Sequence, residues 1–350
     1  MKKKIFLVTS SLAAGGAQRV FWLLAQGFDK TKYEVTIVIL TSKNSFFSTT
    51  IPGVKVVDLK TVRSSLSVGK LYNLIRKERP YAIFGTGDQI NFLISFVSIF
   101  VKTPFIIGRP TNISSEMRRY AGPKSKVLGK FKSFFYDKFN TIVCQSEEIR
   151  NPLIKNLKVD SNKMVVIPNP VLTNSVIKNG EGKNRLIVVG RLTEVKGHSR
   201  LLDIISELPV EYSLTIAGDG SLKDMLTNQT TDLDIQNRVY FIGKVSDVID
   251  RIAKHDVLVL SSHSEGFPNV VLESLSVGVP VVTFRVGGVS NFIKDGFNGY
   301  IIEQDDLAGF KQAIIKSCLQ SWNSEAIKKD IEDKFSLKKI AGVYEKLIEA

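Results

Sequence analysis

The chain has 350 residues, of which 43% are hydrophobic and 23% are charged. This length and composition exclude a disordered protein and a small disulfide-stapled scaffold, and they predict about two domains with a core each. Two cysteines cannot form a disulfide framework, and three isolated histidines are too few for an all-histidine zinc site. We therefore expect a reducing, cytosolic compartment and no metal or other bound cofactor.

The lengths of the apolar runs argue against a membrane span and against a signal peptide. The longest run, residues 92–101, has 10 residues, about half of what a bilayer span requires. The lysines at 2–4 precede only four apolar residues, whereas a signal peptide needs about 7 or more. We expect a protein that is not secreted and that is soluble or bound to a membrane surface.

The first half of the chain alternates strands with helices. Predicted strands cover residues 4–10, 33–40, 81–85, 105–108, 141–145 and 164–167, and predicted helices cover 17–28, 70–78 and 90–101. This alternation predicts a parallel sheet with helices on both faces.

Proline and glycine interrupt the alternation after residue 167, and the polar segment 171–183 is the best candidate for a linker. Beyond it, strands are predicted at 185–189, 212–217, 239–242, 257–260, 281–283 and 299–302, helices at 198–207, 222–226, 270–276, 307–318 and 336–349, and a further element at 248–254. We predict an α/β protein with two Rossmann-like, doubly wound parallel-sheet domains, at 1–170 and 184–334, that face a ligand-binding cleft.

The positive charge of the chain belongs to its first half. Residues 1–170 carry 27 basic against 10 acidic side chains, a net charge of +17, whereas residues 171–350 carry 21 against 24, a net charge of −3. Within 116–138 aromatic residues sit among the basic ones, and the apolar spacing fits one helical stripe. The stripe is typical of a surface for anionic lipid. This interpretation places the lipid contact on Lys124, Lys126, Lys130, Lys132, Phe131, Phe134 and Phe135.

Two alternatives to a lipid surface stay open for this stripe. A core helix with a solvated lysine face has the same spacing. A nucleic-acid patch ranks lowest, because no nucleic-acid-binding signature accompanies the charges.

The sharpest motif is SEGFPNVVLE, from Ser264 to Glu273. A predicted strand ends before it, and Pro268 and Asn269 suit the start of a helix, where main-chain amides and the helix dipole form an anion site. The two glutamates suit hydrogen bonds from sugar or ribose hydroxyls, although an ordinary turn with two glutamates is the alternative. The candidate ligand-binding residues are Glu265, Gly266, Phe267, Asn269, Val270 and Glu273.

The second motif combines Gly190 and Arg191 with Lys196, five residues further on. Arg191 directly follows a predicted strand, so it lies at the carboxyl edge of the sheet, and Lys196 lies at the opening of the next helix. Two cations in this place can neutralise a diphosphate without a metal. The alternative is a solvated loop pair.

The first half offers weaker candidates at its own strand ends. Gly15 and Gly16 open a helix and allow the backbone to approach a phosphate or a sugar ring, with a plain tight turn as the alternative. Asp88, Arg109 and Asn112 follow predicted strands and are candidates for the acceptor side of a cleft, with capping and turn roles as the alternative.

Taken together, these segments resemble the retaining nucleotide-sugar glycosyltransferases of the GT-B fold, specifically glycosyltransferase family 4. The GRL…KG motif at 190–197 and the EGFPN…E motif at 265–273 carry the resemblance. Weaker matches lie at Gly15 and Gly16, at 167–170, at 218–220, at 278–281, at Gly287 and Gly288, and at 295–299. The chain departs from the family at Arg109, where many relatives have a histidine, and at Asn291, where the family usually has a glutamate.

The resemblance implies a role for each candidate. Arg191 and Lys196 would hold the diphosphate, Glu273 the ribose and Glu265 the donor sugar. The base would lie near Lys244 and Val245, Gly16 would approach the diphosphate, and a helix at 335–350 would cross back to the first domain. The catalytic candidates are Arg191, Lys196 and Glu265.

We expect a UDP-sugar as donor and front-face attack as mechanism, because no carboxylate stands out as a nucleophile. The resemblance implies a lipid-linked or glycan acceptor in cell-surface polysaccharide or glycolipid synthesis, on the inner face of the membrane. The alternatives are a nucleotide-sugar epimerase on the same fold and a non-catalytic nucleotide-sugar binder.

Overall fold

The computed structural model describes residues 1–61, 63–111, 133–173, 176–179 and 183–349. It divides into two compact units. The first consists of Met1–Pro170 together with Leu337–Ala350, and the second consists of Val171–Ser336.

The first unit contains a seven-stranded, wholly parallel sheet. Its strands are β1 (Lys3–Thr9), β2 (Tyr33–Ile39), β3 (Val54–Asp58), β4 (Ala82–Thr86), β5 (Phe105–Arg109), β6 (Thr141–Cys144) and β7 (Met164–Val166), in the order β3-β2-β1-β4-β5-β6-β7. Its described helices are α1 (Gly16–Gly27), α2 (Val68–Glu78), α3 (Asp88–Val97) and α4 (Glu147–Leu157).

The second unit repeats this plan with six parallel strands. They are β8 (Arg185–Val189), β9 (Ser213–Ala217), β10 (Val239–Gly243), β11 (Val257–Leu260), β12 (Val281–Phe284) and β13 (Gly299–Ile302), in the order β10-β9-β8-β11-β12-β13. Its helices are α5 (His198–Ser206), α6 (Lys223–Asp232), α7 (Val248–Ala253), α8 (Asn269–Leu275), α9 (Leu307–Leu319) and α10 (Ser324–Phe335). The predicted fold class, two doubly wound parallel-sheet domains, is confirmed.

Side-chain alternation along the central strands explains why each sheet has a core on both faces. In β1, Phe6 and Val8 belong to one buried cluster, and Ile5 and Leu7 belong to the cluster on the opposite face. Successive side chains point to opposite faces of a strand, so an uninterrupted apolar run such as 5–8 predicts a strand that is covered on both sides.

The chain returns to the first unit through α11 (Leu337–Lys346), which packs on α1. The two helices approach closely at Gly27, where a Cβ atom would lie 2.7 Å from Leu337 Cδ1 and 2.9 Å from Ala341 Cβ. Ile340 and Tyr344 are buried in the same cluster as the first-unit strands. This helix is therefore part of the core of the first unit.

The described residues of the segment 171–183 pack on the second unit. Val171 is buried, and its N–H donates to Phe335 O at 2.9 Å. The N–H of Lys178 donates to Val277 O at 2.7 Å. The linker at 171–183 stays a prediction, and the buried Val171 joins the start of this segment to α10.

Three elements escape the sequence analysis: β3, α4 and α10. Lys55 interrupts the short apolar run of β3, and Pro152 lies inside α4, where it masks the helical pattern. Most of the predicted basic stripe, including Lys124, Lys126, Lys130, Phe131 and Lys132, lies outside the described residues, and helix is described only at 133–136. Within the described part of the chain, no helix is long and apolar enough to cross a membrane.

Candidate active site

The candidate site lies where the strand order of the second sheet reverses. β8 pairs with β9 on one side and with β11 on the other. The loops that follow β8 and β11, residues 190–197 and 261–268, therefore start side by side at the carboxyl edge of the sheet. Ligands of open parallel sheets bind at such a switch point.

An ion pair joins the two loops at this point. Lys196 Nζ lies 2.5 Å from Glu265 Oε1, and both side chains are mostly buried. The same carboxylate oxygen accepts a hydrogen bond from Ser262 Oγ at 2.7 Å. The methylene chain of Lys196 passes over Gly190, where a Cβ atom would lie 3.6 Å from Lys196 Cδ. The structure thus brings Glu265 of the first sequence motif next to Gly190 and Lys196 of the second.

Main-chain contacts fix the two loops to each other. The N–H of His263 donates to Val195 O at 2.9 Å, and Ser261 Oγ donates to Lys196 O at 3.2 Å. Gly197 has a φ of +61°, and a Cβ atom there would overlap the carbonyl oxygen of Ser261. Only glycine meets both the backbone conformation and the close approach.

Arg200, in the first turn of α5, is a buried cation that the sequence analysis missed. Its Nε donates to Ser261 O and its Nη2 to Ser262 O, both at 2.8 Å. Its guanidinium carbon lies 4.0 Å from the ring centroid of Phe284. An arginine in an amphipathic helix is typical of a solvated face, so only the three-dimensional contacts reveal that it holds the loop after β11.

Arg191 is exposed at the end of β8, which suits a side chain that meets a ligand. Its carbonyl oxygen accepts from Nε2 of the buried His198 at 3.2 Å. Burial lowers the pKa of the His198 imidazole to about 4, so this histidine is neutral at physiological pH. It supports the loop after β8 as an uncharged donor.

The second glutamate of the motif lies inside α8, which begins at Asn269 directly after Pro268. Glu273 is buried on this helix. The amide of Val270 belongs to the first turn, where the helix itself provides no acceptor for it. An anion at this end of the helix would also meet the positive end of its dipole.

The glycine pair of the loop after β12 explains how the turn around Glu265 is packed. A Cβ atom at Gly287 would lie 2.5 Å from Glu265 O, and one at Gly288 would lie 3.0 Å from the ring of Phe267. Phe267 in turn packs on Phe292 with ring centroids 5.2 Å apart. Asn291, the departure from the family pattern, is exposed next to this packing.

The remaining candidates of the second unit lie after β10. Lys244 is exposed, with Nζ 3.5 Å from Asp219 Oδ2, and Val245 is half-buried. Asp219 follows β9 and Lys244 follows β10, so both loops lie on the β9–β10 side of the switch point. The ion pair shows that the side chains after β9 and β10 are within reach of one another.

The first-unit candidates have different surroundings. Gly15 precedes the first residue of α1, Gly16. Asp88 opens α3 and accepts from the hydroxyl of buried Tyr136 at 2.9 Å. Arg109 is 3% exposed and donates to Asn169 Oδ1, so its guanidinium lies within the interior. Asn112 lies outside the described residues.

The described residues contain no group of three or more His, Cys, Asp or Glu side chains placed to hold a metal ion.

Two family models match consecutive parts of the chain. The model described as Glycosyltransferase Family 4 matches residues 14–175, and the model described as Glycosyl transferases group 1 matches residues 174–332. Together they cover residues 14–332, which include every candidate residue of the site.

Named relatives and solved structures agree with these matches. The chain is 25% identical to the UDP-Gal:alpha-D-GlcNAc-diphosphoundecaprenol alpha-1,3-galactosyltransferase of Escherichia coli, over 74% of this chain and 72% of the relative. It is 26% identical to the GalNAc-alpha-(1->4)-GalNAc-alpha-(1->3)-diNAcBac-PP-undecaprenol alpha-1,4-N-acetyl-D-galactosaminyltransferase of Campylobacter jejuni, over 94% and 91%. The crystal structure of Anabaena HepE with UDP and glucose superposes with a TM-score of 0.82 at 18% identity, over 99% of this chain and 100% of that chain.

Proposed function

Because this chain belongs to glycosyltransferase family 4 and has the GT-B fold, we propose that it transfers a sugar from a nucleotide diphosphate to a lipid-linked or glycan acceptor, with retention of configuration. The observation that carries the proposal is the Lys196–Glu265 pair at the switch point of the second sheet. In this pair, an ammonium group that suits a diphosphate is hydrogen-bonded to a carboxylate that can accept hydrogen bonds from sugar hydroxyls.

The donor that we propose is a UDP-sugar. The Escherichia coli relative uses UDP-Gal, and HepE binds UDP in its crystal structure. In the proposed complex the diphosphate meets Arg191, Lys196 and the first-turn amides of α8. The ribose meets Glu273, and the base lies near Lys244 and Val245. Glycines at 190 and 266 allow the backbone to approach the ligand closely.

The proposed chemistry is a front-face displacement that needs no metal. The bond between the anomeric carbon and the diphosphate oxygen breaks, while the acceptor oxygen attacks from the same face. The proton of the acceptor hydroxyl passes to the departing phosphate oxygen, so the site needs no separate base. Arg191 and Lys196 stabilise the negative charge that develops on the diphosphate. When Lys196 turns to the diphosphate, Glu265 becomes available to the hydroxyls of the donor sugar.

The acceptor that we propose is a glycan on a polyprenyl diphosphate, used in cell-surface polysaccharide or glycolipid synthesis. The names of the Escherichia coli and Campylobacter jejuni relatives both describe sugars on an undecaprenol diphosphate. An acceptor of this kind is held in a membrane, and we propose that the protein works peripherally at the cytoplasmic face.

Exposed apolar side chains on the first unit, three of them aromatic, support a membrane partner. Phe96, Ile99, Phe100 and Phe134 are between 40% and 62% exposed, and we call these four residues the aromatic face. Lys138 Nζ lies 4.7 Å from the ring centroid of Phe134, so a basic group accompanies the apolar surface. This arrangement suits the boundary between acyl chains and anionic headgroups.

Ring contacts connect the parts of the aromatic face. The rings of Phe96 and Phe100 are 5.5 Å apart, and Phe134 packs on Phe135 at 5.5 Å. Phe135 meets Phe92 at 5.3 Å, and Phe92 lies one helical turn before Phe96 on α3. Phe135 itself is buried, so Phe134 is the described member of the predicted stripe that remains available to lipid.

The function is tested by substitution of the two cations that are proposed to hold the diphosphate. We expect Arg191→Ala and Lys196→Ala each to lower turnover about 100-fold, because each removes one group that stabilises the leaving diphosphate. The donor is first identified from a panel of nucleotide sugars by thermal stabilisation, since a bound donor raises stability by mass action.

Lys311→Ala is the matched control, because Lys311 forms an ion pair with Glu207 elsewhere on the second unit. It should leave turnover unchanged. Product analysis decides between the functions: isomerised nucleotide sugar without acceptor would indicate an epimerase, and binding without turnover would indicate a non-catalytic binder. Loss of activity with EDTA that Mg²⁺ or Mn²⁺ restores would contradict the metal-independent mechanism.

A further inference from the structure

Ser262 connects the ion pair of the site to the interior of the second unit. Its side chain is fully buried, and its Oγ donates to Glu265 Oε1 at 2.7 Å. Its carbonyl oxygen accepts from Arg200 Nη2 at 2.8 Å and from Gln304 Nε2 at 3.2 Å. One residue thus joins the glutamate of the site to two side chains that lie behind the loop.

Arg200 is itself held on several sides. Its Nη2 also donates to Gln304 Oε1 at 3.0 Å, and its guanidinium stacks over the ring of Phe284 on β12. Nε donates to Ser261 O, and Nη1 lies 3.5 Å from Asp305 Oδ1. A planar guanidinium can bind two adjacent carbonyls and stack on a ring at once, whereas a lysine ammonium cannot.

We propose that Arg200 is a positioning residue for the donor site, which acts through Ser262 on the Lys196–Glu265 pair. The inference rests on the proposed function. Arg200 fixes the carbonyls of Ser261 and Ser262, this fixes the Ser262 hydroxyl next to Glu265, and Glu265 holds Lys196 at the donor site until a diphosphate binds. The bonds of Arg200 go to the loop and its supports, so its contribution is geometric: it presets the distance between the cation and the carboxylate.

The test is a double-mutant cycle between Arg200→Lys and Glu265→Gln, measured as kcat/KM for the nucleotide sugar. Arg200→Lys keeps the positive charge but cannot donate to the carbonyls of Ser261 and Ser262 in the same planar geometry. We expect it to lower kcat/KM about 10- to 100-fold in the parent enzyme, because a displacement of about 1 Å has that effect on a reacting geometry. In the Glu265→Gln background the same change should cost less than about 3-fold, since the group that Arg200 positions is already altered. Equal losses in both backgrounds would overturn the inference.

Two further variants keep the test decisive if Arg200→Lys does not fold. Gln304→Leu removes the second donor to Ser262 O, and Ser262→Ala removes the hydrogen bond to Glu265. Each change should lower kcat/KM in the parent enzyme and should have little effect in the Glu265→Gln background. The matched control is Arg251→Lys, an exposed arginine paired with Asp247 on α7, which should change nothing.

A crystal structure gives a readout that does not depend on turnover. In Arg200→Lys, or in Gln304→Leu, the Lys196 Nζ–Glu265 Oε1 distance should lengthen beyond 4 Å, the limit of an ion pair. An unchanged Lys196–Glu265 distance in the variant would overturn the inference, whatever the activity of that variant. A parent enzyme that transfers no sugar would contradict the proposed function instead, and the distance in the variant would still decide the role of Arg200.

Discussion

His198 is buried at the start of α5, where burial lowers the pKa of its imidazole from 6.5 to about 4. The unfolded chain therefore binds a proton at this residue between those two pH values, whereas the folded protein does not. Stability must fall as the pH drops through 6.5 towards 4. We expect His198 alone to lower the free energy of unfolding of the second unit by about 2 kcal/mol between pH 7 and pH 5.

The measurement compares urea unfolding of the parent and of His198→Gln at both pH values. The Gln side chain can still donate to Arg191 O but does not bind a proton in this pH range. Between pH 7 and pH 5 the free energy of unfolding of the parent should therefore fall by about 2 kcal/mol more than that of His198→Gln. Trp22 and Trp322 are the two tryptophans of the chain, and a Trp22→Phe background leaves Trp322 to report on the second unit. Identical pH dependence in both proteins would show that the histidine does not carry this effect.

Gly197 sets the close approach of the two loops of the site. In Gly197→Ala the methyl group meets the Ser261 carbonyl, and the backbone has a φ of +61°. We expect the free energy of unfolding of the second unit, measured in urea, to fall by about 3 kcal/mol. The left-handed conformation and the displaced backbone both contribute to this loss. Gly296→Ala is the control, because its φ is +76° but no atom lies within 4 Å of its Cβ position. It should cost about 1 kcal/mol, and equal losses in the two variants would rule out the contact.

Among whole elements, the strands were the most predictable. β8, β11 and β13 have the predicted bounds, because their apolar runs end sharply at polar or glycine residues. The edge strand β3 was missed because Lys55 interrupts its short apolar run.

Part of the site was predictable from the sequence for the same reason. Residues that follow parallel strands meet at one edge of the sheet, so Arg191, Lys196 and Glu265 could be selected together. Their contacts could not be predicted, because the Lys196–Glu265 bond spans 69 positions of sequence and depends on the strand order. Arg200 was missed since no local pattern distinguishes a buried arginine from a solvated one.

Helix α11 belongs energetically to the first unit, although it lies at the opposite end of the sequence. Ile340 is buried in the cluster that contains Phe84 and Phe28. We expect Ile340→Ala to lower the stability of the first unit by about 2–4 kcal/mol, the cost of an aliphatic cavity. The measurement is urea unfolding in a Trp322→Phe background, where Trp22 reports on the first unit.

Val343→Ala on the same helix is the control, because Val343 is more than one third exposed. It should cost less than about 1 kcal/mol, since little apolar area leaves water when this side chain packs. If the two variants were equally stable, α11 would not contribute to the core in the way that its burial indicates.

At the scale of the whole molecule, the charge asymmetry allows a test of the proposed membrane contact. The first 170 residues carry a net charge of +17, and the aromatic face lies on that unit. We expect sedimentation with anionic liposomes at low salt and release at high salt, because screening weakens the attraction of surface charges. Lys130→Glu with Lys132→Glu, and separately Phe96→Ser with Phe100→Ser, should each reduce binding severalfold.

The matched control is Lys223→Glu with Lys254→Glu, which makes the same charge change at two exposed positions of the second unit. It should bind as the parent does. If the control weakened binding as much as the variants in the first unit, the attraction would reflect net charge and not a docking surface. If the parent does not sediment at all, the membrane proposal fails.

The first unit is made of two separate stretches of chain, and this has a consequence for the order in which the two units fold during synthesis. Its core includes Ile340 and Tyr344, which are translated after the whole of the second unit. The second unit is one unbroken stretch of chain and can complete its fold as soon as residue 336 has emerged. Domains usually fold in the order of their synthesis. Here the portion that is made first must wait for the last helix, with Phe84 still missing the partner ring of Tyr344.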